Sequence, residues 1–256
     1  PPLLRAVVRA AAGKVPVMCG ISHKDTYRSI QDAKRAQDLG AIGVQISPPI
    51  FNQPNQEDML RHYEAISDAI EIGVMIYNTP WMTHTMAKRY GGTHVSRGNI
   101  YPDTFVKMAD FEHIVAVKWA VPNDVEFEEM TKFSHIFNVI DNNTDLIRCH
   151  QLGGRGYINS FIDVYPSHDL KIWDLLEKKQ YDKAKKLYES TSTPEAASVS
   201  AKISAKSGGM TRMRKGMLDI MGHPVGPPRP PTLPLDKNEM NEVRKLIESW
   251  GWPTVN

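Results

Sequence analysis

The chain places one lysine in the middle of an apolar run, where an amine can do covalent chemistry. Lys118 lies within residues 114–121 (IVAVKWAV), whose composition predicts a strand buried on both faces. Burial disfavours the charged form of a lysine, and a neutral amine is a nucleophile that can form a Schiff base with a ketone. The same sequence is equally consistent with a structural lysine, which reaches solvent at a strand end or pairs with a carboxylate. The neighbours of Lys118 must therefore decide between the two interpretations.

A tyrosine ends the preceding predicted strand, residues 73–78 (GVMIYN). Strand alternation puts Tyr77 on one face of its strand and groups Lys118 with the small Ala116 and Ala120 on one face of the next. If both faces point inward, the phenol and the amine converge, and the phenol can relay the protons needed to expel water from a carbinolamine. A core tyrosine whose hydroxyl binds backbone is the alternative, and it is the more common case for an isolated tyrosine.

The chain alternates predicted strands and helices, which is typical of a parallel sheet wrapped by helices. The predicted strands cover residues 15–21, 41–47, 73–78, 114–121, 137–142 and 155–164. Six strand–helix units fall two short of a (β/α)8 barrel, so we expect two further units of about 60–70 residues upstream of residue 1. The predicted domains are a partial barrel, 1–168 (units 3 to 8), and 169–256, which holds the last barrel helix and a helical C-terminal extension. A long charged helix over 170–191 is predicted within the extension.

Composition excludes several classes of function. The 256 residues contain 31 Lys+Arg against 29 Asp+Glu, so no basic face for nucleic acid or for a membrane surface is expected. Cys19 and Cys149 form no CxxC or Cys/His pattern, which favours a cytoplasmic protein without disulfides or structural zinc. No GxGxxG or GxxxxGK[ST] motif supports a nucleotide site. We expect no metal and no other cofactor, since lysine chemistry requires none.

Four short motifs resemble one family of class I aldolases. The motifs are Tyr77-Asn78-Thr79-Pro80, the Val117-Lys118 strand, the glycine-rich run 151–158 (QLGGRGYI) and the segment 52–56 (NQPNQ). In this order and on these elements, they resemble the dihydrodipicolinate synthase/N-acetylneuraminate lyase family. Weaker similarity continues through residues 215–234.

The resemblance implies a (β/α)8 TIM barrel with a helical extension, usually a homotetramer, that captures a 2-keto acid, commonly pyruvate, as a Schiff base. An aldehyde is then the second small-molecule partner. Carried onto this chain, Lys118 is the nucleophile and Tyr77 the proton relay. The backbone around Ile158 would face the imine, and Asp141 and Asn142 would line the pocket.

Departures from the family pattern bear on the substrate. The family's carboxylate-binding threonine pair would precede Pro1. Met82 occupies the position at which dihydrodipicolinate synthases have an arginine that binds the carboxylate of the aldehyde substrate. Phe51 occupies the position of the tyrosine that a neighbouring subunit contributes to the active site in the family. Trp119, beside the lysine, and Trp81 suggest a substrate with an aromatic portion, as in the hydratase-aldolases of aryl-substituted pyruvates, although a sugar acid can also stack on tryptophan.

Residues 82–99 form a polar, basic insertion that interrupts the strand–helix rhythm. It contains five basic or imidazole side chains, namely His84, Lys88, Arg89, His94 and Arg97. One interpretation is a lid that supplies cations to a substrate carboxylate. The other, which is slightly favoured, is a solvated loop or a contact between subunits.

The sequence therefore predicts a Schiff-base lyase that forms or cleaves a C–C bond next to pyruvate or a related 2-keto acid. A hydratase-aldolase of aryl-substituted pyruvates is one specific form of it. A sugar-acid lyase or dehydratase using the same lysine, and dihydrodipicolinate synthase itself, are the alternative enzymes. A family member that has lost activity and acts as a binding protein is the alternative from another class, because two expected substrate-binding side chains are replaced.

Overall fold

The computed structural model describes residues 2–80 and 99–255, and it divides the chain into two compact units. The first unit is Pro1–Ile158 and the second is Asn159–Asn256. The predicted boundary at residue 168 stays a prediction. No helix among the described residues combines the length and the apolar character that a membrane span requires.

The first unit contains a six-stranded parallel sheet whose strands pair in chain order, β1 to β6. The strands are β1 (Met18–Ile21), β2 (Gly43–Ile46), β3 (Gly73–Tyr77), β4 (Ile114–Trp119), β5 (Asn138–Asp141) and β6 (Gly156–Tyr157). The described helices of this unit are α1 (Pro2–Ala11), α2 (Thr26–Asp38), α3 (Gln56–Ser67), α4 (Pro102–Lys107) and α5 (Leu146–Gln151). Short 3-10 turns occur at Ile50–Asn52 and Phe127–Lys132.

Alternation along the strands separates two faces of this sheet. One face contributes fully buried aliphatic side chains to the core, namely Val44, Ile46, Val74, Ile76, Val117 and Val139. The same core takes in residues of the helices, such as Ala33 of α2 and Tyr63 of α3. The other face carries Tyr77 and Lys118, which are Cα partners on β3 and β4. The sheet therefore keeps its hydrophobic core and the pair Tyr77 and Lys118 on opposite sides.

Local sequence signals set the helix ends. The Asp25 side chain accepts the N–H of Arg28 at 2.8 Å and begins α2, and Gly40 follows its end with φ 89°. Helix α3 begins with a capping box between Asn55 and Asp58. These caps fix where each helix returns to the next strand.

The second unit is helical. Its helices are α6 (Pro166–Glu177), α7 (Tyr181–Glu189), α8 (Pro194–Lys206), α9 (Met210–Ile220) and α10 (Lys237–Ser249). Met213, Met217, Val243 and Ile247 are fully buried in a core between them. Arg212 is buried with this core and forms an ion pair with Glu239, whose Oε2 lies 2.7 Å from Nη2.

Three predicted elements differ from the structure. The single long helix over 170–191 is two helices, since the chain turns at Lys179, which has φ 54°. The predicted last strand, 155–164, is a strand only over Gly156–Tyr157, and Phe161 and Val164 pack in the core of the second unit instead. The strand–helix alternation predicts a helix between β4 and β5, and the structure has the 3-10 turn at Phe127–Lys132 there.

Candidate active site

Lys118 and Tyr77 lie side by side where β4 and β3 end. The two residues are Cα partners in the parallel register, so their side chains share a face of the sheet. Lys118 Nζ lies 3.6 Å from the centroid of the Tyr77 ring, and the Lys118 residue is 8% exposed. The convergence expected from alternation is therefore present in the structure.

The surroundings of Lys118 favour the neutral amine. Desolvation by burial lowers the pKa of Lys118 below its ordinary value. Within residues 2–80 and 99–255, no carboxylate is close enough to Nζ to oppose this effect. The face of the Tyr77 ring is the neighbouring electron-rich group, and it attracts an ammonium more weakly than a carboxylate would. A larger fraction of this amine is thus deprotonated near neutral pH than for an exposed lysine.

The side chain of Asn142 forms a hydrogen bond with the phenol of Tyr77. Burial raises the pKa of the Tyr77 phenol, and a hydrogen bond with the Asn142 side chain acts in the opposite direction. The backbone N–H of Asn142 donates to the Trp119 carbonyl at 3.2 Å, which holds the end of β5 beside the end of β4. The predicted pocket residue Asn142 is therefore at the site.

Ile158 lies at the end of β6, on the strand next to Asn142. Its backbone N–H donates to the Asp141 carbonyl at 2.8 Å and extends the pairing of β5 and β6 by one residue. Ile158 is partly buried. The structure brings its backbone to the carboxyl end of the sheet, the end at which Lys118 lies.

Asp141 and Trp119 do not lie on the lysine face, which corrects two predicted pocket residues. They are Cα partners one residue beyond Lys118 and its partner on β5, so alternation turns both toward the helix layer. The Asp141 carboxylate accepts the backbone N–H groups of Thr144 at 3.0 Å and Asp145 at 3.2 Å. Asp141 therefore closes the turn before α5.

Trp119 is fully buried in the hydrophobic core. Its ring packs edge-on against Phe133 and Phe105, with centroid distances of 5.2 Å and 6.2 Å. A side chain in this position cannot stack on a substrate bound at Lys118. The tryptophan next to the lysine thus gives no support for an aromatic substrate.

The other residues singled out in the sequence are either exposed or outside the described residues. Phe51 is 55% exposed, and Lys24 Nζ lies 5.5 Å from its ring centroid. Trp81 and the insertion through residue 98 are outside the described residues, so the lid interpretation stays a prediction. Among the described residues, no group of three or more His, Cys, Asp or Glu side chains could hold a metal ion.

Asn78 is a buried residue at this site for which the sequence indicates no role of its own. It is fully buried, and its amide forms hydrogen bonds with backbone groups of Ile100 and Ala120. Its place in the motif Tyr77-Asn78-Thr79-Pro80 marks it in the sequence, but the motif does not indicate these distant partners.

Comparison with known proteins connects this geometry to one family. A sequence model of the Dihydrodipicolinate synthetase family matches residues 2–250. The 4-hydroxy-tetrahydrodipicolinate synthase 1 of Halalkalibacterium halodurans is 26% identical over 255 residues, covering 96% of this chain and 77% of the relative. The 4-hydroxy-tetrahydrodipicolinate synthase of Methanospirillum hungatei is 29% identical over 181 residues, covering 70% of this chain and 57% of the relative.

Solved structures agree in fold. A dihydrodipicolinate synthase from Bacillus anthracis has 25% identity and a TM-score of 0.74, covering 97% of this chain and 79% of the other. The enzyme from Acinetobacter baumannii, solved in complex with pyruvate, has 22% identity and a TM-score of 0.76, with 98% and 80% covered. Together with the parallel sheet, this likeness shows a TIM-barrel-like α/β fold.

Proposed function

Because this chain belongs to the Dihydrodipicolinate synthetase family, whose members are Schiff-base lyases, we propose that Lys118 is its Schiff-base nucleophile and Tyr77 its proton relay. The substrates in this proposal are pyruvate or a related 2-keto acid and an aldehyde. The observation that carries it is the position of a desolvated amine 3.6 Å from the ring centroid of a tyrosine at the end of the next strand. Active sites of barrels of this type lie at the carboxyl ends of the strands.

The proposed reaction begins with attack of the neutral Lys118 amine on the keto carbon, which forms a carbinolamine. The phenol of Tyr77 delivers a proton to the departing hydroxyl, and water leaves as the C=N bond forms. Loss of a proton from the adjacent carbon gives an enamine. The enamine carbon adds to the aldehyde carbonyl, so that the C–C bond forms, the C=N bond is restored and the former carbonyl oxygen takes up a proton to become a hydroxyl. Hydrolysis of the imine releases the product and restores the amine, and the reverse sequence cleaves the bond.

Asn142 and Ile158 support this chemistry in the proposal. The Asn142 side chain binds the phenol and keeps it directed toward the amine, while the phenol pKa stays above its ordinary value because of burial. A phenol with this pKa remains protonated near neutral pH and can donate. The backbone of Ile158, at the neighbouring strand end, borders the imine.

The second substrate is the open part of the proposal. Trp119 packs in the core, so an aryl-substituted partner now rests on Trp81 and on the resemblance. A sugar-acid lyase or dehydratase uses the same lysine and stays a candidate. The two curated relatives, both named 4-hydroxy-tetrahydrodipicolinate synthase, favour that activity as the first to assay. A panel of aldehydes offered with pyruvate would separate the three candidates.

Barrel closure, location and assembly belong to the same proposal. β1 and β6 each pair with one strand of the described sheet, and two further β/α units would close an eight-stranded barrel.

A cytoplasmic location is proposed from the two free cysteines. A homotetramer is proposed from the resemblance, and one solved relative is a monomeric variant of dihydrodipicolinate synthase, so light scattering must decide the assembly.

The test is chemical trapping. We expect the protein incubated with pyruvate and borohydride to gain one reduced pyruvyl group, located at Lys118 by peptide mass spectrometry. Lys118→Met should gain nothing under the same conditions, and Lys24→Met, which alters an exposed lysine, should behave as the wild type. A folded wild-type protein that gains no mass would refute the Schiff-base proposal and favour the inactive, binding-protein alternative.

A further inference from the structure

Asn78 directly follows Tyr77, and its side chain is fully buried. Its Nδ2 donates to the carbonyl oxygens of Ile100 and Ala120, both at 3.2 Å. Its Oδ1 accepts the backbone N–H of Ile100 at 3.1 Å. Moving this amide would leave buried backbone groups unpaired, which is unfavourable because they have lost their contact with water. The side chain therefore fixes the local geometry closely.

The bond from Asn78 to Ala120 joins β3 and β4 beyond the end of their backbone pairing. The last residues that pair between the two strands are Tyr77 and Lys118. Ala120 lies two residues after Lys118, and Asn78 lies one residue after Tyr77. This one side chain thus links the chain just past the relay to the chain just past the nucleophile.

We propose that Asn78 is a positioning residue, which holds the Tyr77 phenol over Lys118 by tying the ends of β3 and β4 together through the Ala120 carbonyl. The inference rests on the proposed function of Lys118 and Tyr77. The Asn78 amide is engaged by backbone groups and acts through Tyr77 rather than on the substrate. Its loss displaces the proton relay and leaves the amine in place.

Gln56 provides a matched control. Its Nε2 donates to the Asn99 carbonyl at 2.7 Å, and its Oε1 accepts from the backbone N–H of Tyr101 at 3.2 Å and from the hydroxyl of Thr104 at 2.6 Å. Gln56 therefore anchors residues 99–101, as Asn78 does through Ile100, but none of the hydrogen bonds of Gln56 reaches β4. Gln56→Met perturbs that segment without touching the junction between β3 and β4.

The experiment follows the appearance of the reduced pyruvyl adduct over time and its final yield. In Asn78→Asp the new side chain has the same shape as asparagine, but a carboxylate oxygen replaces Nδ2 and faces the carbonyl oxygens of Ile100 and Ala120. We expect its adduct to form about 100-fold more slowly, as a misplaced catalytic group produces, with the final yield at Lys118 preserved. Gln56→Met should form the adduct at the wild-type rate. Asn78→Ser, which introduces no charge, should also slow formation and serves if Asn78→Asp does not fold.

Three results would overturn the inference. The first is a wild-type rate in folded Asn78 variants, and the second is equal slowing in Gln56→Met, which would implicate the segment rather than the junction. The third is a fall in final yield that parallels the folded fraction, which is the signature of a structural role alone. Failure of the wild-type protein to form any adduct would instead refute the proposed function, on which this inference depends.

Discussion

Among the described residues, each unit buries one long basic side chain, and the two side chains have opposite surroundings. Arg212, in the helical unit, is 1% exposed and binds both oxygens of Glu239, at 3.1 Å and 2.7 Å. Its remaining donors reach three backbone carbonyls, those of Ile203, Leu233 and Pro234. Lys118, in the sheet unit, is almost as buried but faces an aromatic ring and, among the described residues, no carboxylate.

The comparison teaches how to distinguish a structural cation from a reactive one. The Arg212 guanidinium has every donor satisfied, and it ties α8, the backbone at Leu233 and Pro234, and α10 together. Burial alone would raise the pKa of Glu239, but the hydrogen bonds from Arg212 bring it below its ordinary value. An amine that is buried without such partners loses its proton more easily and becomes nucleophilic. The partners of a buried base, more than its burial, indicate its role.

The largest expected effects come from exchanging each cation for methionine. Arg212→Met should destabilise the protein by about 3–5 kcal/mol, because Glu239 stays buried without its partner. Lys118→Met should abolish adduct formation and leave stability equal or higher, since a desolvated amine is removed. Urea unfolding and the trapping assay measure the two properties. Adding Glu239→Leu to Arg212→Met should recover most of the lost stability. A destabilised Lys118→Met would break the comparison.

Tyr77→Phe tests which part of the tyrosine matters to the amine. Phenylalanine keeps the ring face beside Nζ and removes the hydroxyl, so we expect adduct formation to slow by roughly 100-fold with little change in final yield. Stopped-time borohydride quenching measures the rate. Tyr63→Phe is the control, since its buried hydroxyl binds the Ile46 carbonyl at 3.2 Å in the core of the same unit. Equal rates in Tyr77→Phe and the wild type would remove the phenol from the mechanism.

The smallest effect concerns His62, a third buried base, which is held neutral. Desolvation lowers the pKa of His62 from 6.5 to about 4, and its Nδ1 lies 2.8 Å from the Thr26 hydroxyl. The unfolded chain therefore binds a proton that the folded chain does not, so stability is complete above pH 6.5 and falls as the pH approaches 4. We expect His62 to cost about 2 kcal/mol by pH 5.

Unfolding curves of the wild type and His62→Asn between pH 7.5 and 5 isolate this contribution. The pKa of His168 is also lowered, chiefly by burial, and it adds to the slope of both proteins. The difference between the two slopes belongs to His62. If the two slopes are the same, His62 is not the neutral buried base described here.

The sequence was sufficient to place Lys118 beside Tyr77, because strand alternation and parallel order are local patterns that β3 and β4 obey. The same alternation turns Trp119 and Asp141 away from the lysine. Trp119 was expected near the substrate because it is adjacent to Lys118, but adjacent residues of a strand point to opposite faces, and Asp141 was expected there from the resemblance. Asn78 and Arg212 were beyond prediction for another reason. Their partners, such as Ala120 and Glu239, are 42 and 27 residues away in the chain, and only the folded backbone brings them together.

The anchors at Asn78 and Gln56 have a consequence for which nearby positions can change. They hold Asn99, Ile100 and Tyr101 to the ends of the sheet and of α3, and each of these hydrogen bonds ends on a backbone N–H or carbonyl of residues 99–101. A backbone group is present whatever the side chain, so a substitution at Asn99 or Tyr101 leaves these bonds available. A substitution at Asn78 or Gln56 removes them, which puts the constraint on the two amide side chains.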